Sequence, residues 1–181
     1  GGTSVGAGMG GNLNLITKET TAKITNSQIN NTKSVSVAAN KDKTQKTEDL
    51  ISVGVGGSVI ASTANGYSFS GAMATDVINN TINATIDNST VNSTGDVDVI
   101  ANNNFNNRNL AGALSFSNAK NGVGVGVGAI VSVINNNVNA SITNNSTITA
   151  KGVNVNADNN ENLQFLAANM GIQTGNGIPV T

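Results

Sequence analysis

Few side chains in this sequence are equipped for chemistry, and their spacing decides what they can do. The 181 residues contain no histidine and no cysteine. The commonest general base, the thiol nucleophile, the thiolate metal site and the disulfide framework are therefore all absent from the sequence. Asp96 and Asp98 stand two apart in an alternating stretch and would point the same way, the beginning of a Ca²⁺ site or an acid–base pair. One repeat later, however, their counterparts are Lys151 or Gly152 and Asn154, while Asp76 maps to Ser132 and Asp87 to Thr143. Carboxylates that do not recur cannot line an acidic groove, and the nonapeptide calcium repeat is missing. These acids read as solvated surface charge.

The glycine-rich segments fare no better. Gly6-Ala-Gly-Met-Gly-Gly11 satisfies G-x-G-x-x-G, but a dinucleotide site needs a helix to follow, and residues 12–16 alternate like a strand. The Gly-Val run at 122–128 lacks the Gly-Lys-Ser/Thr of a phosphate loop. Lys41, Lys43 and Lys46 form a small basic cluster interleaved with Asp42, Glu48 and Asp49. The plain reading is a solubilising loop; the sharper one is a ligand-binding loop, a glycan or nucleic-acid patch. No catalytic, metal-ligating or cofactor-binding residue is predicted. Asn-x-Ser/Thr triplets abound, as composition alone would give, and no glycosylation is read from them.

The elements that would position any site are strands and turns. Asn outnumbers every other residue, Gly is abundant, and the apolar side chains are mostly Val, Ile and Ala. Small and β-branched, they suit thin stacked sheets. A net charge of −1 offers no long-range attraction for nucleic acid or an anionic membrane. No apolar run is long enough for a membrane-crossing helix, and nothing resembles a secretory leader. No window of useful length shows helical spacing.

What organises the chain is repetition. Val77-Ile-Asn-Asn80 and Asn83-Ala-Thr-Ile86 return 56 positions later as Val133-Ile-Asn-Asn136 and Asn139-Ala-Ser-Ile142. Ile24, Ile86 and Ile142 fall at equivalent places, as do Asn26, Asn88 and Asn144, with spacings of 62 and 56. Ser27, Ser89 and Ser146 lead into Ile29, Val91 and Ile148; Leu50, Leu110 and Leu166 open the next strand. Repeats of about 4–65, 66–121 and 122–176 result, with 177–181 starting a fourth, all within one domain.

Like residues on like at such spacing point to a parallel stack, in which identical side chains superpose at about 4.8 Å. Ladders of Val on Val would fill the core and ladders of Asn on Asn would pair their amides. The predicted fold is all-β, a right-handed parallel β-helix (β-solenoid), with one wide flattened coil per repeat. Turns are expected near 143–146 and 174–177, and the glycines would let the two long faces pack closely or bend. A short three-sided coil with a projecting hairpin, residues 110–116 returning as 123–134, stays open as the alternative. Because neither end resembles a polar cap, a slice of a longer array is expected, prone to associate end to end.

The segment Asn139-Ala-Ser-Ile-Thr-Asn-Asn-Ser-Thr-Ile-Thr-Ala-Lys-Gly-Val-Asn-Val-Asn-Ala-Asp158 follows Val123-Gly-Val-Gly-Val-Gly-Ala-Ile-Val-Ser-Val133. Together they resemble the repeat regions of very large secreted fusobacterial-type passenger proteins, namely leukotoxin, filamentous-haemagglutinin-like and autotransporter adhesins. The resemblance implies a passenger secreted from, or displayed on, the outer membrane of a Gram-negative bacterium, built as a β-helical stalk. It carries over no functional residue. The expected role is that of a non-enzymatic structural stalk projecting a distal binding region. Alternatives are a module that itself binds a host glycan or protein, and, more remotely, a polysaccharide-degrading β-helix enzyme. No nucleic acid partner and no direct membrane insertion of this segment are expected.

Overall fold

The computed structural model of the protein describes residues 2–40, 48–175 and 178–180. Among them there is no helix, and nearly every residue lies in a strand. In chain order these are β1 (Thr3–Thr25), β2 (Gln28–Thr32), β3 (Val35–Ala39), β4 (Glu48–Asp87), β5 (Thr90–Ser93), β6 (Val97–Thr143), β7 (Thr147–Thr149), β8 (Val153–Thr174) and β9 (Ile178–Val180). Every pairing among them is parallel. Two sheets result, a large one ordered β1-β4-β6-β3, with β8 and β9 also on β6, and a small one ordered β2-β5-β7.

The register is that of like on like. Ile24 lies beside Ile86, and Ile86 beside Ile142. Ile29, Val91 and Ile148 form a second column, and Val35, Val97 and Val153 a third. One equivalence needs correcting: Leu110 and Leu166 stack on Val53, whereas Leu50 stacks on Asn107 and Leu163. The extra residues between 40 and 48 shift the frame, so matching leucine to leucine misplaced this strand by three positions. Nor do residues 110–116 pair with 123–134 as a hairpin; Leu110 bonds in parallel between Val53 and Leu166.

The two longest strands each double back. In β4 the chain reverses at residues 62–65, where the register slips. The hydroxyls of Ser58 and Ser68 then meet at 2.5 Å across the gap. Each repeat thus has a front leg (3–25, 65–87, 121–143), a short side (28–32, 90–93, 147–149) and a back leg (35–39 with 48–62, 97–118, 153–174). A leg of 22 residues such as Val153–Thr174 spans up to about 70 Å. The molecule is therefore much wider along its strands than it is tall across them.

Asparagine makes the corner between front leg and short side. Asn26, Asn88 and Asn144 take φ of 49°, 43° and 49°, the left-handed region that Asn tolerates best after Gly. The following serine closes the turn on itself, Ser27 Oγ donating to Thr25 O at 2.7 Å and Ser89 Oγ to Asp87 O at 2.7 Å. The hydroxyls of Ser89 and Ser146 also accept from the preceding repeat: Ser27 N–H donates to Ser89 Oγ and Ser89 N–H to Ser146 Oγ. The amide ladder runs from Asn88 Nδ2 to Asn26 Oδ1 at 2.7 Å, then breaks, because Asn144 Nδ2 donates to Asp87 Oδ1 instead. Asn145, the inserted residue with φ 54°, displaces the third step. Asn88→Ala should cost about 1–2 kcal/mol, from the positive φ and the lost amide bond together, and Asn88→Gly well under half of that. Urea denaturation of the two variants measures the difference.

The core sits at the three-sided end. Ile82, Ile86, Val91, Val97 and Val99 are buried completely or nearly so, with Ala84 and Ala101 between them. β-branched side chains on three converging strands fill this prism as the composition leads one to expect. Toward the doubled-back end the gap narrows, and only Ala72, Ala74, Ala111 and Ala113 form a second, thin cluster.

Candidate functional site

The residues singled out for chemistry are scattered. Lys41, Lys43 and Lys46 lie outside the described residues. Asp98 sits between Ser36 and Asn154 in its column and accepts from Asn154 Nδ2 at 3.3 Å. Asp87 accepts from Thr143 Oγ1 and Asn144 Nδ2. Residues 6–11 are mid-strand in β1. Among the described residues no three acidic side chains gather where a metal ion could be held, and no helix is long and apolar enough to cross a membrane.

Two other features are concentrated. The first is polar and internal. Midway along the legs, Asp76, Asn107 and Asn109 are buried to within 2% or less of complete exclusion from solvent. Asn14 Nδ2 donates to Asp76 Oδ1 at 2.8 Å, and Asn107 Nδ2 donates across the gap to Ser132 Oγ at 3.0 Å, in the column above Asp76. Further toward the prism, Asn80 Nδ2 donates to Asn103 Oδ1 at 3.0 Å. Amides here bridge front leg to back leg and fix which residues face each other. The bridge is incomplete, since Asp76 Oδ2 and Asn107 Oδ1 have no hydrogen-bond partner among the described residues. A buried carboxylate with one donor costs more than it returns. Asp76→Asn supplies an N–H where an acceptor stood and keeps the bond from Asn14. It should raise stability by about 1–3 kcal/mol, read as a higher urea midpoint at unchanged slope.

The second feature is apolar and external. Along the doubled-back half of each leg the inward positions are mostly Gly, Ser and Ala, and most of the large side chains point out. On the front, Val5, Tyr67 and Val123 stack, followed two residues on by Ala7, Phe69 and Val125, and then Met9, Gly71 and Val127. On the back, Val53, Leu110 and Leu166 stack, and further along Val59, Phe116 and Ile172. This corrects the expectation that stacked valines fill the core throughout. Val97 and Val99 do point inward and are fully buried, but Val127 is 59% exposed and Val131 and Val133 48% each.

The reason is the width of the gap. A Cβ built on Gly54 or Gly56 would fall on the carbonyl oxygen of Met73 or Gly71, and one on Gly8 or Gly10 on that of Gly57 or Val55. Opposite these glycines the sheets admit no branched side chain between them, so alternation puts the valines outside; Ile60, near the reversal, and Ile130, against the alanine cluster, are inward where the gap is wider. The sequence signal was available, in that the odd and even positions of residues 122–128 are valine and glycine and so differ in size. An apolar residue in an alternating strand is usually the inward one, and that habit gave the wrong parity.

The front columns are deepest around Gly71. There an open groove of about 660 Å³ runs between Phe69 and Met73, with Met9 and Val127 at its ends. No charged side chain occurs among the outward front positions 5–15, 67–77 and 123–133.

Fold and surface together define an all-β protein of long, parallel, in-register strands with a polar-bridged interior and apolar outer faces. Compared with known proteins, the chain matches no family model, no curated protein and no solved structure.

Proposed function

We propose that the chain is a stretch of right-handed parallel β-solenoid, one wide flattened coil per repeat, serving as a structural stalk segment of a secreted or surface-displayed bacterial passenger. The observation that carries this reading is the register: front and back legs alike pair in parallel with residues 56 to 62 positions away. A chain that returns over itself at a fixed interval builds along one axis, and its reach grows with repeat number. The handedness follows the rule for parallel crossovers. Such a segment needs no catalytic residue, cofactor or metal.

The geometry also says what kind of stalk this would be. Each repeat adds only about 4.8 Å of height for up to about 70 Å of width. Reach is obtained slowly, whereas stiffness and broad flat faces come with every coil. Those faces favour a second reading, in which the segment also makes contacts of its own, though their apolar columns suit a protein surface better than a glycan.

Tandem proteins carrying one, two and three copies of this chain test the stalk reading. Electron micrographs should show particles of constant width whose height rises by about 14 Å per added copy. Beads on a string, with gaps between copies, would refute it.

A further inference from the structure

We infer that the front outer face is a self-association surface, and that its occupant is the same face of a second copy of this chain. The inference goes beyond the stalk reading and stands whether or not that reading holds.

The area is sufficient. Ten large apolar side chains of the front columns are exposed, from Tyr67 at 38% to Met9 at 91%. At roughly 100–200 Å² each, from valine up to tyrosine, and a little over half exposed on average, they present on the order of 800 Å². A stable interface needs about 800 Å² from each partner, and a monomer's largest apolar patch is ordinarily about 300–600 Å².

The relief is self-complementary. The groove floored by Gly71 and Gly11 lies beside the projecting Met9, Phe69 and Met73. A two-fold axis normal to the face would let the projections of one copy enter the groove of the other, as an isologous contact requires. Both copies carry columns at the same strand spacing of about 4.8 Å, so ridges and grooves keep step along the axis. The back face is the poorer candidate, because Arg108 interrupts it beside Leu110 and Gln164 stands in the same column.

Sedimentation velocity on the intact chain, from about 1 to 100 µM, tests the inference, with Kd converted in the usual way. A dimer is expected. Phe69→Lys/Met73→Lys should weaken it at least about tenfold, by burying charge at its centre, and Leu114→Lys on the back should leave it unchanged. Because the chain has no cysteine, Met73→Cys supplies a unique thiol and a substitution gentle enough to keep the fold. A short bismaleimide should link Met73→Cys dimers and fail to link Leu114→Cys. A monomer at every concentration overturns the inference. So does an association that survives the front double substitution, which would assign it to strand edges, or one lost through Leu114→Lys. Flotation with phosphatidylcholine vesicles by a protein that stays monomeric would overturn it too, giving the face to lipid.

Discussion

Gly56→Val is expected to cost more than about 4 kcal/mol, a large part of the stability of an ordinary domain. The glycine lies inward, and a Cβ there would coincide with the carbonyl oxygen of Gly71 and approach the Gly10 nitrogen to 3.1 Å. Each of these obstacles is backbone. No rotamer change relieves the clash, so the legs must part, and the hydroxyl contact of Ser58 with Ser68 is lost with them. Gly57, the next residue, provides the control. It points outward, and its nearest atom to an added Cβ is the Leu114 carbonyl oxygen at 3.7 Å. Gly57→Val should be neutral or stabilise by up to about 1 kcal/mol, since a β-branched residue gains strand propensity and loses the entropy cost of glycine. The same substitution at adjacent positions should therefore give opposite results. Equal thermal midpoints for the two variants would mean that the sheets do not approach as closely as the geometry requires.

The contrast between Gly56 and Gly57 also shows what the sequence could and could not reveal. Recurrence of Ile24, Ile86 and Ile142 made the parallel register readable, because a stacked core residue must repeat. Asn26 and Asn88 were readable as corners, since a left-handed turn narrows the choice to Asn or Gly. Parity was not readable in the same way. Alternation says that two sets of side chains face opposite ways, but which set is inward depends on the gap between the sheets, a tertiary quantity. At Val97 the gap is wide and valine is inside; near Val127 it is closed and valine is outside. The apolar front face is invisible in the sequence for that reason. In the sequence the internal Asp76 reads as surface charge because its column, Asn14 and Ser132, does not repeat a carboxylate. Its burial follows from parity alone, once that is known.

Ile86→Ala should lose about 3–4 kcal/mol, toward the upper part of the range for deleting three buried carbons from a packed site. Ile86 has no exposed surface, and neither do its neighbours Ala84, Val91, Val97 and Val99. Strands converge on it from three sides, each held in register by ladders above and below, so little can collapse into the space left behind. Ile24 and Ile142 occupy the same column but are only partly buried. Alanine there should cost about half as much, because less area is removed from water and one side of the cavity is open. The ordering, with the middle of the column above either end, is what stacking predicts and what three independent strands would not. Combined with Gly56→Val, the substitution asks a further question. The two positions lie in opposite halves of the repeat, roughly 50 Å apart along the strand. If the legs unfold as one unit, both substitutions lower a single transition and their effects add. If the prism holds while the glycine-rich half opens, Gly56→Val should leave amide protection at Val97 and Val99 intact, and only Ile86→Ala should release it. Hydrogen exchange resolved by residue distinguishes the two. Continuous strands crossing both halves favour the single unit, since no hydrogen-bonded ladder can end at the boundary without exposing its backbone.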